Sequence, residues 1–154
     1  HFSDINILFT ATNADTHGSL VYEKILTFCS KRNNSQIIPS LGQTRYFSCL
    51  NYVSGVLGNS SSGLLEVPYF KKSTINIGKR QDGRIRTPSI IDCSPTQKEI
   101  IAAIKTLFTD AQIQRVQAMS DLPYGYGGAT QKIIDVLMNI DYTGILEKRF
   151  YDLH

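Results

Sequence analysis

The chain has 154 residues and a net charge of +3, with 42% hydrophobic and 19% charged residues. These values are typical of a soluble globular protein, and we predict that residues 1–154 form a single domain with one buried core. A pI of about 8.8 is too weakly basic to predict nucleic-acid binding, and it is equally compatible with an anionic small ligand.

Cysteine usage and the apolar runs indicate the compartment. Cys29, Cys49 and Cys93 are an odd number without a C-x-x-C pair, which predicts reduced, buried thiols rather than a disulfide framework or a zinc site. No apolar run approaches the ~20 residues that span a bilayer. The first residues, HFSDIN, also lack the pattern of a signal peptide. We therefore predict a cytoplasmic protein with no membrane partner.

Apolar runs that favour β-structure alternate with helical patterns along most of the chain. The runs that predict strands are 5–12, 35–41, 54–58, 73–78 and 89–93. The segments with helical spacing are 19–31, 42–53, 61–70, 94–108, 111–119 and 127–140. Pro68 should cut the third helix short, Ser94 is the expected N-cap of the fourth, and 142–154 predicts a last, polar helix.

Short continuous apolar strands separated by helices favour βαβ units. We therefore predict an α/β fold in which a Rossmann-like parallel sheet is flanked by helices. In such a sheet, ligands bind outside the carboxyl ends of the strands. The residues that follow each strand are therefore the candidates for a binding site.

The third predicted strand is followed by a small polar stretch, GNSSSG at 58–63. Ser60, Ser61 and Ser62 supply hydroxyl donors, and free N–H groups at the start of a helix attract phosphate, which suits a diphosphate cradle. The alternative is structural, because serine and asparagine are also ordinary helix caps. Glu66, about one turn further, either accepts the hydroxyls of a ribose or compensates the helix dipole.

Two other strand ends carry polar side chains. NIGKRQDGR at 76–84 follows the fourth strand and includes Arg80, whose guanidinium can clamp a phosphate, with a solvated basic loop as the alternative. TATNADTHG at 10–18 includes Asn13 and His17, and a lone loop histidine is more often a bystander than a catalyst. No Ser–His–Asp order, paired carboxylates or metal-ligand cluster is evident, so the residues predict nucleotide binding without a reaction, a cofactor or a metal.

Four stretches resemble a known family, in the family's order: TATNADTHG, SLGQTRYFSCLNYVSGVLGNSSSGLLEVPYF, TINIGKRQDGRIR and YGYGGATQKI. Over roughly residues 5–140 they resemble the C-terminal half of UDP-N-acetylglucosamine 2-epimerases, in particular the hydrolysing branch of sialic acid biosynthesis. The resemblance implies the nucleotide-binding C-terminal half of a two-domain enzyme of the GT-B type. It also implies that the parent enzyme removes the C2 proton of the sugar, eliminates UDP and hydrates the resulting 2-acetamidoglucal, which yields N-acetylmannosamine and UDP.

The resemblance assigns UDP contacts to individual positions of this chain. The serines at 60–62 would bind the diphosphate, and Glu66 would accept the ribose hydroxyls. The positions that would line the uracil pocket are Leu41 and Tyr46. The positions that would contact nucleotide or phosphate are Asn13 and Arg80.

The chain departs from the family at its start, because HFSDINILFT matches the end of a helix before the family's second strand in this domain. The N-terminal domain with the catalytic carboxylates, the first strand and a histidine after it have no counterpart, and His17 is at another position. The first strand is central in the 3-2-1-4-5-6 order of a Rossmann sheet, so an isolated copy needs rearrangement, a partner chain or domain swapping. We expect a fragment that is inactive by itself and has no catalytic residue.

Two alternatives stay open at this point. The chain can be a catalytically silent domain that binds nucleotide or assembles with a partner, or the C-terminal domain of a GT-B glycosyltransferase, which would not predict NIGKRQDGR. Within the family, the non-hydrolysing branch tends to have glycines where this chain has serines, which favours the hydrolysing branch. The resemblance implies a homodimer that binds UDP or UDP-N-acetylglucosamine.

Overall fold

The computed structural model describes residues 2–11 and 18–147. The chain divides into two compact units, His1–Pro123 and Tyr124–His154. All the predicted strands are present in the first unit, and each is shorter than predicted. They are β1 (Ile7–Thr10), β2 (Ser35–Ile38), β3 (Gly55–Gly58), β4 (Ser73–Ile77) and β5 (Ile90–Cys93).

The helices also follow the predicted order. They are α1 (Gly18–Cys29), α2 (Gly42–Tyr52), α3 (Ser62–Leu65), α4 (Gln97–Leu107), α5 (Asp110–Gln117) and α6 (Ala129–Asn139). As predicted from Pro68, α3 stops early, and the chain continues as a 3₁₀ turn at Val67–Phe70, because proline has no N–H to continue the helix. Within the described residues, none of the helices combines the length and the apolar character that a bilayer crossing requires.

The strands form two parallel sheets rather than the single sheet that the sequence predicts. In the smaller sheet β1 pairs with β2, and Ile7 lies opposite Ser35. In the larger sheet β4 lies between β3 and β5, so that Ile75 faces Leu57 on one side and Ile91 on the other. These arrangements match the two sides of a 3-2-1-4-5-6 sheet, on either side of its central strand. Among the described residues, neither β1 nor β2 is paired with a strand of the larger sheet.

The unpaired edges of β1 and β3 leave apolar side chains uncovered. Leu8 on β1 is 40% exposed and Leu57 on β3 is 49% exposed. Residues 73–76 of β4, which has a neighbouring strand on both sides, are all buried. Parallel strands are normally covered by helices on both faces, so Leu8 and Leu57 lie on faces that the described residues cover only in part.

The core of the larger sheet is formed by β4 and α4. Ile75 is only 1% exposed and packs with Ala103 and Leu107 of α4. The partly buried residues around this cluster are Ile77, Ile91, Cys93 and Ile104. The apolar residues of α4 recur at three- and four-residue spacing, which turns one face of the helix toward the sheet.

The prediction of Ser94 as the N-cap of α4 is wrong. Thr96 occupies this position with an extended backbone, and its hydroxyl accepts a hydrogen bond from the Glu99 N–H at 3.3 Å. A helix that starts here has acidic Glu99 in its first turn, where the carboxylate interacts favourably with the helix dipole. A start two residues earlier would move Glu99 out of that turn.

The second unit contains α6, whose predicted apolar residues are exposed. Their exposed fractions are 57% for Ile133, 45% for Ile134, 51% for Leu137 and 79% for Met138. The last polar helix that the sequence predicts is not found as far as residue 147, because residues 143–146 form turns. The rest of that prediction, 148–154, lies outside the described residues.

Cys29, Cys49 and Cys93 carry free thiols that are half-buried, rather than the fully buried ones that the sequence predicts. Each of them lies on a helix or an edge strand that has solvent on one side.

Candidate functional site

The serine stretch lies at the carboxyl end of β3, as the sequence predicts. β3 ends at Gly58, and α3 begins at Ser62. The Ser60 hydroxyl accepts a hydrogen bond from the Ser62 N–H at 3.3 Å, and the Ser60 carbonyl accepts one from the Gly63 N–H at 3.2 Å. The loop is therefore a tight turn, in which Asn59 and Ser60 are exposed.

The sequence predicts that this serine turn (residues 59–62) either binds a diphosphate or caps a helix. Ser61 is the residue before α3, yet its side chain makes no capping hydrogen bond. Because α3 has only four residues, few peptide dipoles add up at its start. An anion at this turn would be bound by hydroxyl and main-chain N–H groups rather than by a helix dipole.

The serine turn is fixed to β4 by Gly63 and Thr74, which are both buried. Thr74 Oγ1 donates a hydrogen bond to the Gly63 carbonyl at 2.8 Å. A Cβ atom on residue 63 would lie 2.5 Å from Thr74 Cγ2, which is closer than carbon atoms approach. This glycine therefore serves the close packing of the turn against the strand.

The end of β3 is joined to α2 by a short hydrogen bond. Tyr46 Oη and Ser62 Oγ lie 2.5 Å apart, and either atom can be the donor. Glu66, which ends α3, is close enough for its charge to act on the ionisation of Tyr46. Next to Tyr46, the ring of Phe47 packs against the ring of Phe70 with centroids 5.5 Å apart, which holds α2 against the 3₁₀ turn. Three predicted site residues make up what we call the β3-end cluster: Tyr46 is hydrogen-bonded to Ser62, and the charge of Glu66 acts on Tyr46.

Burial raises the pKa of the Tyr46 phenol; the hydrogen bond with Ser62 lowers it, and the charge of Glu66 raises it. The net direction is upward from the ordinary value of about 10. Because the folded-state pKa is the higher one, the stability that the neutral phenol contributes is fully present below pH ~10 and is lost as the pH rises through the folded pKa.

We expect a titration of phenolate absorbance to contain a late-ionising component that disappears in Tyr46→Phe. Tyr52→Phe removes a phenol that is 89% exposed and is the matched control. If Tyr46→Phe removed an early-titrating phenol instead, the burial of Tyr46 against Ser62 would be contradicted.

Leu41 and Arg80 follow strands but lie outside the β3-end cluster. Leu41 is half-buried immediately before α2, and Arg80 is exposed in the loop after β4. Within the described residues Arg80 forms no ion pair, so its guanidinium is available to a ligand. Asn13 lies outside the described residues.

Gln81 and Arg86 connect the strand ends. Neither is among the site residues predicted from the sequence. Gln81 is 3% exposed, and its Nε2 donates a hydrogen bond to the Asn59 carbonyl at 2.7 Å. Arg86 Nη1 donates to the Gln81 carbonyl at 2.7 Å, and Arg86 Nε donates to Asp92 Oδ2 at 3.0 Å. In the sequence, Gln81 is an uncharged polar residue within a basic loop. Composition alone does not predict that Gln81 is buried while Arg80 and Asp82 are exposed.

A cavity of about 420 Å³ lies at the carboxyl ends of β4 and β5, and none of the predicted site residues lines it. Its walls carry opposite charges, among them Lys79 and Arg86 with Asp82 and Asp92. Arg86 is already paired with Asp92 at 3.0 Å and with Asp82 at 3.7 Å. The cavity therefore offers little uncompensated charge to an anion.

Residues 1–138 match the family described as UDP-N-acetylglucosamine 2-epimerase. The chain belongs to this epimerase family. It is 36% identical over 149 residues to the GDP/UDP-N,N'-diacetylbacillosamine 2-epimerase (hydrolyzing) of Campylobacter jejuni. It is 34% identical over 154 residues to polysialic acid biosynthesis protein P7 of Escherichia coli. Each alignment covers 96% of this epimerase-family chain but only 38% of the relative's length.

The fold of the epimerase-family chain is similar to that of S. aureus MnaA in its co-structure with UDP, with a TM-score of 0.56 and 15% sequence identity. The match covers 99% of this chain and 49% of that chain. At this level of identity the likeness concerns the fold, and it confirms the predicted α/β architecture with parallel, helix-flanked sheets.

Proposed function

We propose that this epimerase-family chain is the UDP-binding part of a hydrolysing UDP-N-acetylglucosamine 2-epimerase, which releases N-acetylmannosamine and UDP. The observation that carries the proposal is the β3-end cluster at the carboxyl end of a parallel strand, where Tyr46 is hydrogen-bonded to Ser62 and lies within range of the charge of Glu66. This is the edge at which α/β sheets bind their ligands. The chain spans 38% of the length of its curated relatives, so the activity of the whole protein is part of the proposal.

We infer from the resemblance a division of roles along the nucleotide. The serines at 60–62 would bind the diphosphate, and the Ser61 hydroxyl, which caps no helix, is free to donate to it. Glu66 would accept the ribose hydroxyls, with Tyr46 and Leu41 beside the uracil. The positions that would contact nucleotide or phosphate are Asn13 and Arg80.

The names of two relatives support hydrolysis and raise a second candidate for the sugar. The Campylobacter jejuni protein and a Legionella pneumophila protein, which is 28% identical over 147 residues, are both called N,N'-diacetylbacillosamine 2-epimerases (hydrolyzing). A UDP-diacetamido sugar is therefore the alternative to UDP-N-acetylglucosamine. The release of free sugar from each substrate, measured with the whole protein, decides between the two sugars. Transfer of sugar to an acceptor would instead indicate a glycosyltransferase.

The nucleotide site is tested by calorimetric titration of UDP into the chain and two serine variants. We expect saturable binding that Ser61→Ala weakens by about three- to tenfold, because a hydrogen bond contributes roughly 0.5–1.5 kcal/mol. Ser48→Ala is the control, since Ser48 is an exposed serine whose hydroxyl donates to the Thr44 carbonyl within α2. A folded chain that bound no UDP would contradict the proposal.

The remaining predictions concern the protein beyond this site. We propose that the chain is inactive by itself, because it spans only 38% of the length of the relatives that it matches. A cytoplasmic homodimer without membrane or nucleic-acid partners stays a prediction. A catalytically silent nucleotide-binding domain is the alternative, and it would bind UDP although the whole protein releases no sugar.

A further inference from the structure

Gln81 is the side chain that ties the loop after β4 to the serine turn. It is 3% exposed, although its neighbours in sequence, Arg80 and Asp82, are both exposed. Its Nε2 donates a hydrogen bond to the main-chain oxygen of Asn59 at 2.7 Å. Because Asn59 immediately precedes the three serines, this bond holds the first residue of the turn.

The main chain of Gln81 is itself held from the sheet. Arg86 Nη1 donates to the Gln81 carbonyl at 2.7 Å, and Arg86 Nε donates to Asp92 Oδ2 at 3.0 Å. The other carboxylate oxygen of Asp92 accepts a hydrogen bond from Asn76 Nδ2 at 2.6 Å. A continuous set of hydrogen bonds thus runs from β4 and β5 to the serine turn, so the sheet determines where Gln81 holds Asn59.

The amide of Gln81 is only half satisfied. Its Oε1 is buried and has no hydrogen-bond partner among the described residues. An unpaired buried acceptor lowers stability, and an apolar side chain of similar length would avoid this loss. Stability alone therefore does not favour glutamine here, and what this residue type adds is the donor that reaches Asn59.

We propose that Gln81 is a positioning residue for nucleotide binding. By holding Asn59, it sets where the hydroxyl and N–H groups of residues 60–62 meet the diphosphate, while making no contact with the ligand itself. Groups that are held in place before binding need less ordering when the ligand arrives, which raises affinity. This inference rests on the proposed function and deepens it, because it names a residue outside the assigned contacts.

The test compares the affinities of the 154-residue chain and Gln81→Met for UDP and for uridine by calorimetry. Methionine has a similar length but no donor for the Asn59 carbonyl. We expect the affinity for UDP to fall by about tenfold, because the donors to the diphosphate lose their positions. The affinity for uridine should change by less than about twofold, since uridine has no diphosphate. A loss of fold would lower the affinities for UDP and for uridine by the same factor.

Gln112→Met is the matched control. Gln112 is also a buried glutamine, 6% exposed, whose Nε2 donates to the Pro88 carbonyl and to Ser73 Oγ, each at 3.2 Å. Gln112 lies on α5, and neither of these hydrogen bonds goes to residues 59–62. We expect this variant to lower the midpoint of urea unfolding and to leave the affinity for UDP unchanged.

The outcomes separate the two proposals. If the unsubstituted chain binds no UDP, the proposed function fails, and the positioning role fails with it. If the chain binds UDP and Gln81→Met binds it equally well, only the positioning role is overturned. Equal losses for UDP and uridine, or an equal loss of UDP affinity in Gln112→Met, would also overturn it, because Gln81 would then act on stability alone.

Discussion

Replacing Glu66 by alanine is expected to weaken UDP binding by about ten- to a hundredfold. A carboxylate that accepts hydrogen bonds from ribose hydroxyls contributes roughly 1.5–3 kcal/mol, and each 1.4 kcal/mol corresponds to about tenfold in affinity. Glu66 is half-buried at the end of α3, where a ribose would be partly shielded from water. The measurement is calorimetric titration of UDP into the chain and the variant.

A second ligand, 2′-deoxy-UDP, tests whether Glu66 binds the ribose. The unsubstituted chain should bind this ligand more weakly than UDP, whereas Glu66→Ala should bind the two almost equally, because the partner of the missing hydroxyl is gone. Glu99→Ala is the control, since Glu99 is an exposed acid in the first turn of α4. If Glu66→Ala still preferred UDP to 2′-deoxy-UDP by the original factor, Glu66 would not bind that hydroxyl.

The second large effect concerns stability. Ile75→Ala is expected to lower the free energy of unfolding by about 2–5 kcal/mol, because it opens a cavity at the centre of the core. Ile75 is 1% exposed and packs against Ala103 and Leu107. Urea unfolding of the chain and the variant measures the difference, and Ile75→Val should lose about 0.5–1.5 kcal/mol.

The control for this prediction lies one strand away. Leu57 faces Ile75 across the pairing of β3 and β4, but its side chain is 49% exposed at the unpaired edge. We expect Leu57→Ala to lower the free energy of unfolding by less than about 1 kcal/mol, because little of its apolar surface is removed from water. If Leu57→Ala cost as much as Ile75→Ala, the edge of β3 would be covered in solution, and the exposure of that edge would be contradicted.

Much of the fold follows from local patterns in the sequence. Short β-favouring runs predict the order and the approximate position of all the strands, although each strand is shorter than its run. Pro68 ends α3 because a proline cannot continue a helix, whatever surrounds it. The N-cap of α4 was misplaced because Ser94 and Thr96 are both good caps, and the choice depends on which one leaves Glu99 in the first turn.

The site was predictable to the extent that it is local in sequence. That the serines at 60–62 lie outside the carboxyl end of a strand, with Glu66 one turn further, follows from the order of strand, turn and helix. The hydrogen bond from Gln81 to Asn59 was not predictable, because it spans 22 residues and the basic loop around Gln81 is otherwise exposed. Gln81 is buried because distant segments of the chain, among them Asn59, pack against this loop.

Local patterns in the sequence are sufficient to predict the order of strands and helices, the polar turn after β3 and the family to which they belong. Strand pairing is visible only in the folded chain, where β1 and β2 are separate from β3, β4 and β5. The same holds for the contact of Tyr46 with Ser62, because the two residues are 16 positions apart. The physical reason is that periodicity and capping act between residues a few positions apart, whereas strand order and the contacts between strand ends depend on the packing of distant segments.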